Sequence, residues 1–117
     1  MTTYISTIAK NEFQYIREFV THHIGLGFDR IIIYDNNASD GEHYDKLLAS
    51  EIATGKAEII DVRGKSNYQN KSYQESYARH RDEEGWMFFI DVDEFLILEH
   101  ETDVHRFLEH DCFSTFN

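Results

Sequence analysis

Arg30-Ile31-Ile32-Ile33-Tyr34 sets three isoleucines in a row and then stops at Asp35-Asn36-Asn37. The run is too short for a helix, and its β-branched side chains, stiff at χ1, pack well on a pleated surface. Successive strand residues point to opposite faces, so a strand built from this run is apolar on both. Such a strand belongs at the centre of a sheet covered on either side, the usual setting of parallel strands joined by helical crossovers.

The flanking segments supply the crossovers. Tyr4 to Ala9 reads as a first strand, followed by Lys10-Asn11-Glu12. Asn11 with Gln14 has the form of a capping box, and Phe13, Ile16, Phe19, Val20 and Ile24 recur at helical spacing up to Gly25 or Gly27. Ser39 with Glu42 announces a second helix, Ala57 to Val62 a third strand, and Ser66 with Gln69 a third helix running to about Arg81. Trp86 to Ile90 is the fourth and most hydrophobic strand; beyond it Phe95 to Leu98 reads as extended, and a short helix opens near Thr102. Alternating strands and helices predict an α/β fold: a Rossmann-like open, mainly parallel sheet with helices on both faces and right-handed crossovers.

With 117 residues, 41% of them hydrophobic and 15% aromatic, there is material for one compact, cored domain. A net charge of −11 argues against binding nucleic acid or an anionic membrane, since that requires Lys and Arg against phosphates. An anionic ligand is still accessible if a divalent cation lies between. The lone Cys112 makes no internal disulfide, which points to a reducing, cytoplasmic setting, and it is read as a passive residue. No stretch approaches the ~20 apolar residues of a membrane span, and the start lacks a signal-peptide pattern.

In an open parallel sheet, ligands bind beyond the carboxyl ends of the strands. The four strands end into Lys10-Asn11-Glu12, Asp35-Asn36-Asn37, Arg63-Gly64-Lys65 and Asp91-Val92-Asp93-Glu94. The last places three acids within four residues, a repulsion that raises carboxylate pKa values or is relieved by a cation such as Mg²⁺ or Mn²⁺. On an extended backbone Asp91 and Asp93 share a face while Val92 packs inward. The competing reading is an acidic loop in which Asp93 or Glu94 caps a turn. Asp35 is placed to accept from a ribose hydroxyl or a base N–H, but Asp-Asn-Asn equally suits turn formation, as do Asn37 and Ser39. Arg63 and Lys65 are within reach of a diphosphate, although exposed loop cations usually do nothing specific. Gln69, Tyr73, Ser76, Tyr77 and His80 form a polar-aromatic stripe that reads as a packing face more than a site.

The seven histidines, among them the adjacent pair His22-His23, show no zinc-binding spacing with a glutamate base or partner cysteines. Neither a Gly-x-Gly-x-x-Gly nor a Gly-x-x-x-x-Gly-Lys loop follows the first strand, and no Gly-x-Ser-x-Gly elbow is present.

The succession Lys10-Asn11-Glu12, His23-Ile24-Gly25-Leu26-Gly27-Phe28-Asp29, Tyr34-Asp35-Asn36-Asn37-Ala38-Ser39-Asp40, Gln69-Asn70-Lys71-Ser72-Tyr73 and Trp86-Met87-Phe88-Phe89-Ile90-Asp91-Val92-Asp93-Glu94-Phe95 resembles the family-2-like glycosyltransferases, including the related family 92 group. The resemblance covers about residues 4 to 98. It implies a GT-A fold whose nucleotide-sugar-binding half occupies residues 1–98, with 99–117 beginning a truncated acceptor-side region. It further implies that Asp35 contacts the nucleoside, that Lys10, Asn11 and Glu12 line the nucleotide pocket, and that Asp91 lies near the ribose or sugar. Asp93, with Asp91, would hold Mn²⁺ or Mg²⁺. The implied partners are a UDP- or GDP-sugar and an unnamed carbohydrate or other acceptor. A metal bridging both phosphates neutralises charge on the departing nucleoside diphosphate. No catalytic base is assigned, because such enzymes carry it in a second half. Apolar surface left by a missing half would favour self-association. Two alternatives stand beside this: a non-catalytic nucleotide- or metal-binding module, and a metal-dependent nucleotidyltransferase. The second normally wants a Gly-rich basic loop where Lys10-Asn11-Glu12-Phe13 lies. A phosphatase of the Asp-x-Asp type would place its motif after strand one.

Overall fold

In a computed structural model that describes residues 1–110, the chain alternates strands and helices: β1 (Thr2–Ala9), α1 (Ile16–Gly25), β2 (Arg30–Asp35), α2 (Ala49–Ala53), β3 (Ala57–Asp61), α3 (Gln69–His80), β4 (Gly85–Phe89) and α4 (Val104–Leu108). Every strand pairing is parallel, in the order β3-β2-β1-β4. The chain therefore builds outward from β1 through β2 to β3, then returns to the far side of β1 to lay down β4. Strand order reverses between β1 and β4.

β2 behaves as its composition demands: Ile31, Ile32, Ile33 and Tyr34 are all at 0% exposure. Ile31 and Ile33 join Ile5, Phe19, Val20, Leu48 and Leu108 on one face, which places α1, the approach to α2, and α4 there. Ile32 and Tyr34 join Tyr4 and Val62 on the other, under α3. Each such side chain contributes about 1.5–3 kcal/mol by leaving water. The α3 contact is made by small hydroxyls instead. Ser76 Oγ donates to Tyr34 OH at 3.0 Å and lies 2.7 Å from Ser6 Oγ, and Ser72 and Ser76 are fully buried. The polar-aromatic stripe thus splits. Ser76 packs, whereas Tyr77 is exposed and lines, with His80, Tyr4 and Trp86, a cleft at the edge of the sheet where β4 begins.

Gly85 opens β4 because nothing larger fits. A Cβ there would lie 2.0 Å from the Thr2 carbonyl oxygen. Among the described residues β4 pairs with β1 alone, so its apolar run is a half-buried edge strand and not the buried strand its hydrophobicity suggests. No helix among those residues is long and apolar enough to cross a membrane. Cys112 lies outside the described residues.

Several element starts depart from expectation. The Asn11–Gln14 box does not form: α1 begins at Ile16 behind Tyr15, which makes no side-chain cap, and Asn11 sits at φ 58°. Ser66 does not cap α3, whose N-cap is Tyr68, although the helix starts and ends close to the expected residues. The helix expected from Ser39 is reduced to Ala49–Ala53. Its would-be first-turn carbonyls, Ala38, Gly41 and Glu42, instead accept from the Arg63 guanidinium. Phe95 to Leu98 forms no strand, because the Leu96 backbone is taken by histidine rings. At α4 the cap is Asp103, accepting from His105 N at 2.8 Å.

Candidate functional site

The β1–β2 ladder continues to Ala9–Asp35, whereas the β1–β4 ladder ends at Ser6–Phe89. Past those ends lie Lys10-Asn11-Glu12 on one side of the strand-order reversal and Asp91-Val92-Asp93-Glu94 on the other. In open parallel sheets the connections diverge at such a reversal, and the crevice between them is where ligands bind.

The wall formed by the loops after β1, β2 and β3 is one bonded unit. Asn11 N–H donates to Asn37 Oδ1 at 2.8 Å, Glu12 N–H donates to Tyr44 OH at 3.2 Å, and Asn36 N–H donates to Ala9 O at 2.9 Å. Asn11 holds a left-handed conformation that Asn tolerates better than most residues. Lys10 and Asn11 are exposed, and Glu12 is half-buried.

Beneath them Asp35 is buried. Its Oδ1 accepts from Asn37 N–H at 3.0 Å and from Asn37 Nδ2 at 2.7 Å; its Oδ2 accepts from Arg63 Nη1 at 2.8 Å. Side-chain exposures of 7% for Arg63 and 4% for Asp35 make this a buried ion pair. Arg63 is therefore not an idle loop cation. It ties the ends of β2 and β3 and closes the 38–42 turn. Asn36 adds bonds to Val62 O and Lys65 O, so the turn-forming reading of Asp-Asn-Asn is realised. A cleft of about 270 Å³ opens alongside, lined by Asp35, His43, Tyr44, Asp61 and Arg63 among others. Tyr44, Asn37 and Arg63 carry this wall. In the sequence Asn37 reads only as a turn former, Arg63 only as a loop cation, and Tyr44 not at all, because their partners lie elsewhere in the chain and no local spacing marks them.

On the far side, the backbone after β4 does not run extended. Glu94 N–H donates to Asp91 O at 2.9 Å, and Glu94 Oε1 accepts from Asp91 N–H at 2.8 Å, closing a turn around Val92 and Asp93. Glu94 is thus the turn's cap. Val92 is buried in the core, which anchors the turn, while Asp91, Asp93 and Glu94 remain exposed. Desolvation, then the charges of Glu94 and Asp93, push the Asp91 carboxyl above its ordinary value. Among the described residues no three His, Cys, Asp or Glu side chains converge as a complete ligand cage. Mg²⁺ and Mn²⁺ do not require one, since one or two carboxylates plus phosphate oxygens and water suffice.

The segment leaving this turn is held by the histidine pair of α1. His23, fully buried, donates from Nδ1 to Phe19 O at 2.8 Å and accepts at Nε2 from Leu96 N–H at 3.1 Å, which fixes the neutral tautomer. His22 Nε2 donates to Leu96 O at 2.9 Å. The Phe95 ring stacks on His23 with centroids 5.8 Å apart and planes 13° apart. Burial lowers the His23 pKa below its ordinary 6.5. A depressed pKa means that the unfolded chain takes up the proton first. The His23 contribution is therefore whole above about pH 6.5 and is lost as pH falls through the lowered value. Thermal melts between about pH 8 and about pH 5 should show this decline, and a His23→Gln variant should decline less steeply. Equal slopes would remove His23 from the explanation.

Comparison with known proteins accords with this arrangement. The family model for glycosyltransferase family 92 matches residues 4–111. A glycosyltransferase family 92 protein of Arabidopsis thaliana is 32% identical over 92 residues, covering 78% of this chain and 16% of that protein. One from Ricinus communis is 32% identical over 94 residues, covering 79% and 16%. One from Oryza sativa subsp. japonica is 29% identical over 104 residues, covering 79% and 15%. The chain spans about a sixth of the length of these curated relatives. With the model matching nearly the whole sequence, the chain belongs to glycosyltransferase family 92.

Proposed function

We propose that this chain is the donor-binding portion of a glycosyltransferase that moves a sugar from a nucleotide diphosphate sugar, a UDP- or GDP-sugar, to a carbohydrate or other acceptor. The observation that carries this reading is the placement of the Lys10-Asn11-Glu12 loop and the Asp91–Glu94 turn on either side of the strand-order reversal. The acidic turn fits a divalent cation. Asp93 and Asp91 are the residues that would hold Mn²⁺ or Mg²⁺, and when bound the ion supplies charge neutralisation of the diphosphate leaving group. Desolvation first, and then the charges of Glu94 and Asp93, raise the Asp91 pKa; the charge part supports the fit, because a cation relieves it.

The protein's own groups then bind and orient. Lys10 and Glu12 stand at the rim of the nucleotide pocket, with Asn11 fixing the path of their loop through Asn37. A carboxylate has about four lone-pair sites, and three of the bonds Asp35 makes are internal, which leaves room for one donor from a nucleoside. The nucleotidyltransferase reading loses ground on the same geometry. The loop after β1 has its Asn11 and Glu12 N–H groups committed to Asn37 and Tyr44, and so presents no open phosphate cradle.

The test is calorimetric titration of UDP, and then GDP, into the protein with Mn²⁺ and again with EDTA. Metal-dependent heat is the expected result. Absence of binding for both nucleotides in both conditions would overturn the donor-site reading. Metal-dependent hydrolysis of a bound nucleotide sugar would distinguish an enzyme from a non-catalytic binding module.

A further inference from the structure

Among the described residues no strand pairs with the segment that follows the acidic turn, yet its backbone is bonded as though one did. In a sheet, a neighbouring strand engages both the N–H and the C=O of a residue. At Leu96 two imidazole rings do so: His23 Nε2 takes the N–H at 3.1 Å and His22 Nε2 donates to the C=O at 2.9 Å. The two rings are adjacent on α1 and pack edge to face with centroids 4.8 Å apart. Phe95, one residue before the gripped peptide, stacks on His23. α1 itself is anchored in the core through Ile16, Phe19 and Val20, so the grip is fixed to the packed core.

The geometry points to His22 and His23 as positioning residues that hold the Asp91–Asp93 turn to α1 and so set how tightly the turn takes a metal-bridged nucleoside diphosphate. The inference rests on the donor-site reading above. Two residues, Glu94 and Phe95, separate Asp93 from Leu96, so three residue-to-residue steps make a tether of about 10 Å at most when extended. With Leu96 clamped and Val92 buried, the turn is pinned at both ends; with the Leu96 peptide released, Val92, the Glu94 cap and the ring contacts of Phe95 hold it without a backbone bond to α1. A site held loosely by an unsupported surrounding shell loses affinity even when its ligands are intact.

The test uses two readouts on the whole chain: hydrogen exchange at the Leu96 amide, and calorimetric affinity for UDP in the presence of Mn²⁺. His23→Phe keeps an aromatic ring for Phe95 but removes the acceptor, whereas His23→Gln keeps an acceptor near the Nε2 position. His23→Phe is expected to speed Leu96 exchange and to weaken Mn²⁺-dependent UDP binding about 10–100-fold, the range seen when groups supporting a metal site are lost. His23→Gln is expected to recover most of both. Because His23 is buried, His22→Phe at a half-buried position provides a second variant, with a loss of several-fold expected. Faster Leu96 exchange with unchanged affinity in either Phe variant would overturn the positioning role while leaving the donor site standing. No Mn²⁺-dependent binding by the wild type would overturn the donor-site reading and the positioning role together.

Discussion

Arg63→Ala is expected to destabilise the fold by about 3–5 kcal/mol, the cost of breaking a buried ion pair by removing one partner. The substitution leaves the Asp35 carboxylate buried without its cation, and strips a donor from the Ala38, Gly41 and Glu42 carbonyls at once. Domains of this size are stable by roughly 5–15 kcal/mol, so the loss is a large share of the total. Urea titration followed by circular dichroism measures it. The double variant Asp35→Asn with Arg63→Met should recover part of the loss, because no uncompensated charge remains. A cost under about 1 kcal/mol for Arg63→Ala would mean that the pair is hydrated like a surface salt bridge.

Asp93→Ala is expected to act in the opposite way. The side chain is exposed on a turn that Val92 and Glu94 hold together, so stability should stay within about 0.5 kcal/mol of wild type. Its removal also takes away the smallest of the causes that raise the Asp91 pKa, after desolvation and the charge of Glu94. Mn²⁺-dependent UDP binding, in contrast, should weaken by at least about a hundredfold, since losing a direct ligand costs no less than losing the groups that support one. The measurement is the titration described above, repeated on the variant beside a urea melt. Retained Mn²⁺-dependent affinity in a folded Asp93→Ala protein would sink the metal assignment. Together the two substitutions separate a carboxylate that builds the crevice from one that would work in it.

The strands were the most readable part of the chain because their information is local. Ile31-Ile32-Ile33 needs cover on both faces wherever it sits, and Gly85 ahead of Trp86 marks where β4 enters. Helix starts were less readable. Ser39 with Glu42 satisfies the local rule for a cap, but Arg63, some twenty residues on, takes the neighbouring carbonyls and the turn wins. Hydrophobicity also misjudged β4, since an apolar strand at a sheet edge is half-buried however apolar it is. The acidic motif was visible, but its backbone path was not: Glu94 was a possible cap in the sequence and is the cap in the structure. His22-His23 was set aside with the other histidines as lacking metal-binding spacing, and the partner it does have is the peptide of Leu96, 73 and 74 residues away. No spacing rule reaches that far.

Asn37 donates to Asp35 through its amide nitrogen, while its side-chain oxygen accepts from both Asn11 and Tyr44. One planar amide therefore holds three partners across the β1–α1 and β2–α2 connections, and it cannot rotate to suit one of them without releasing another. The segments of the wall on that side are tied to one another by these bonds. They belong to a single cooperative unit, of the kind that opens as a whole or stays shut. A ligand bound as proposed would, in pressing on the chain after β1, meet the β2 and β3 ends as well, so shape held in advance, and not a loop closing over its guest, would set selectivity on this wall.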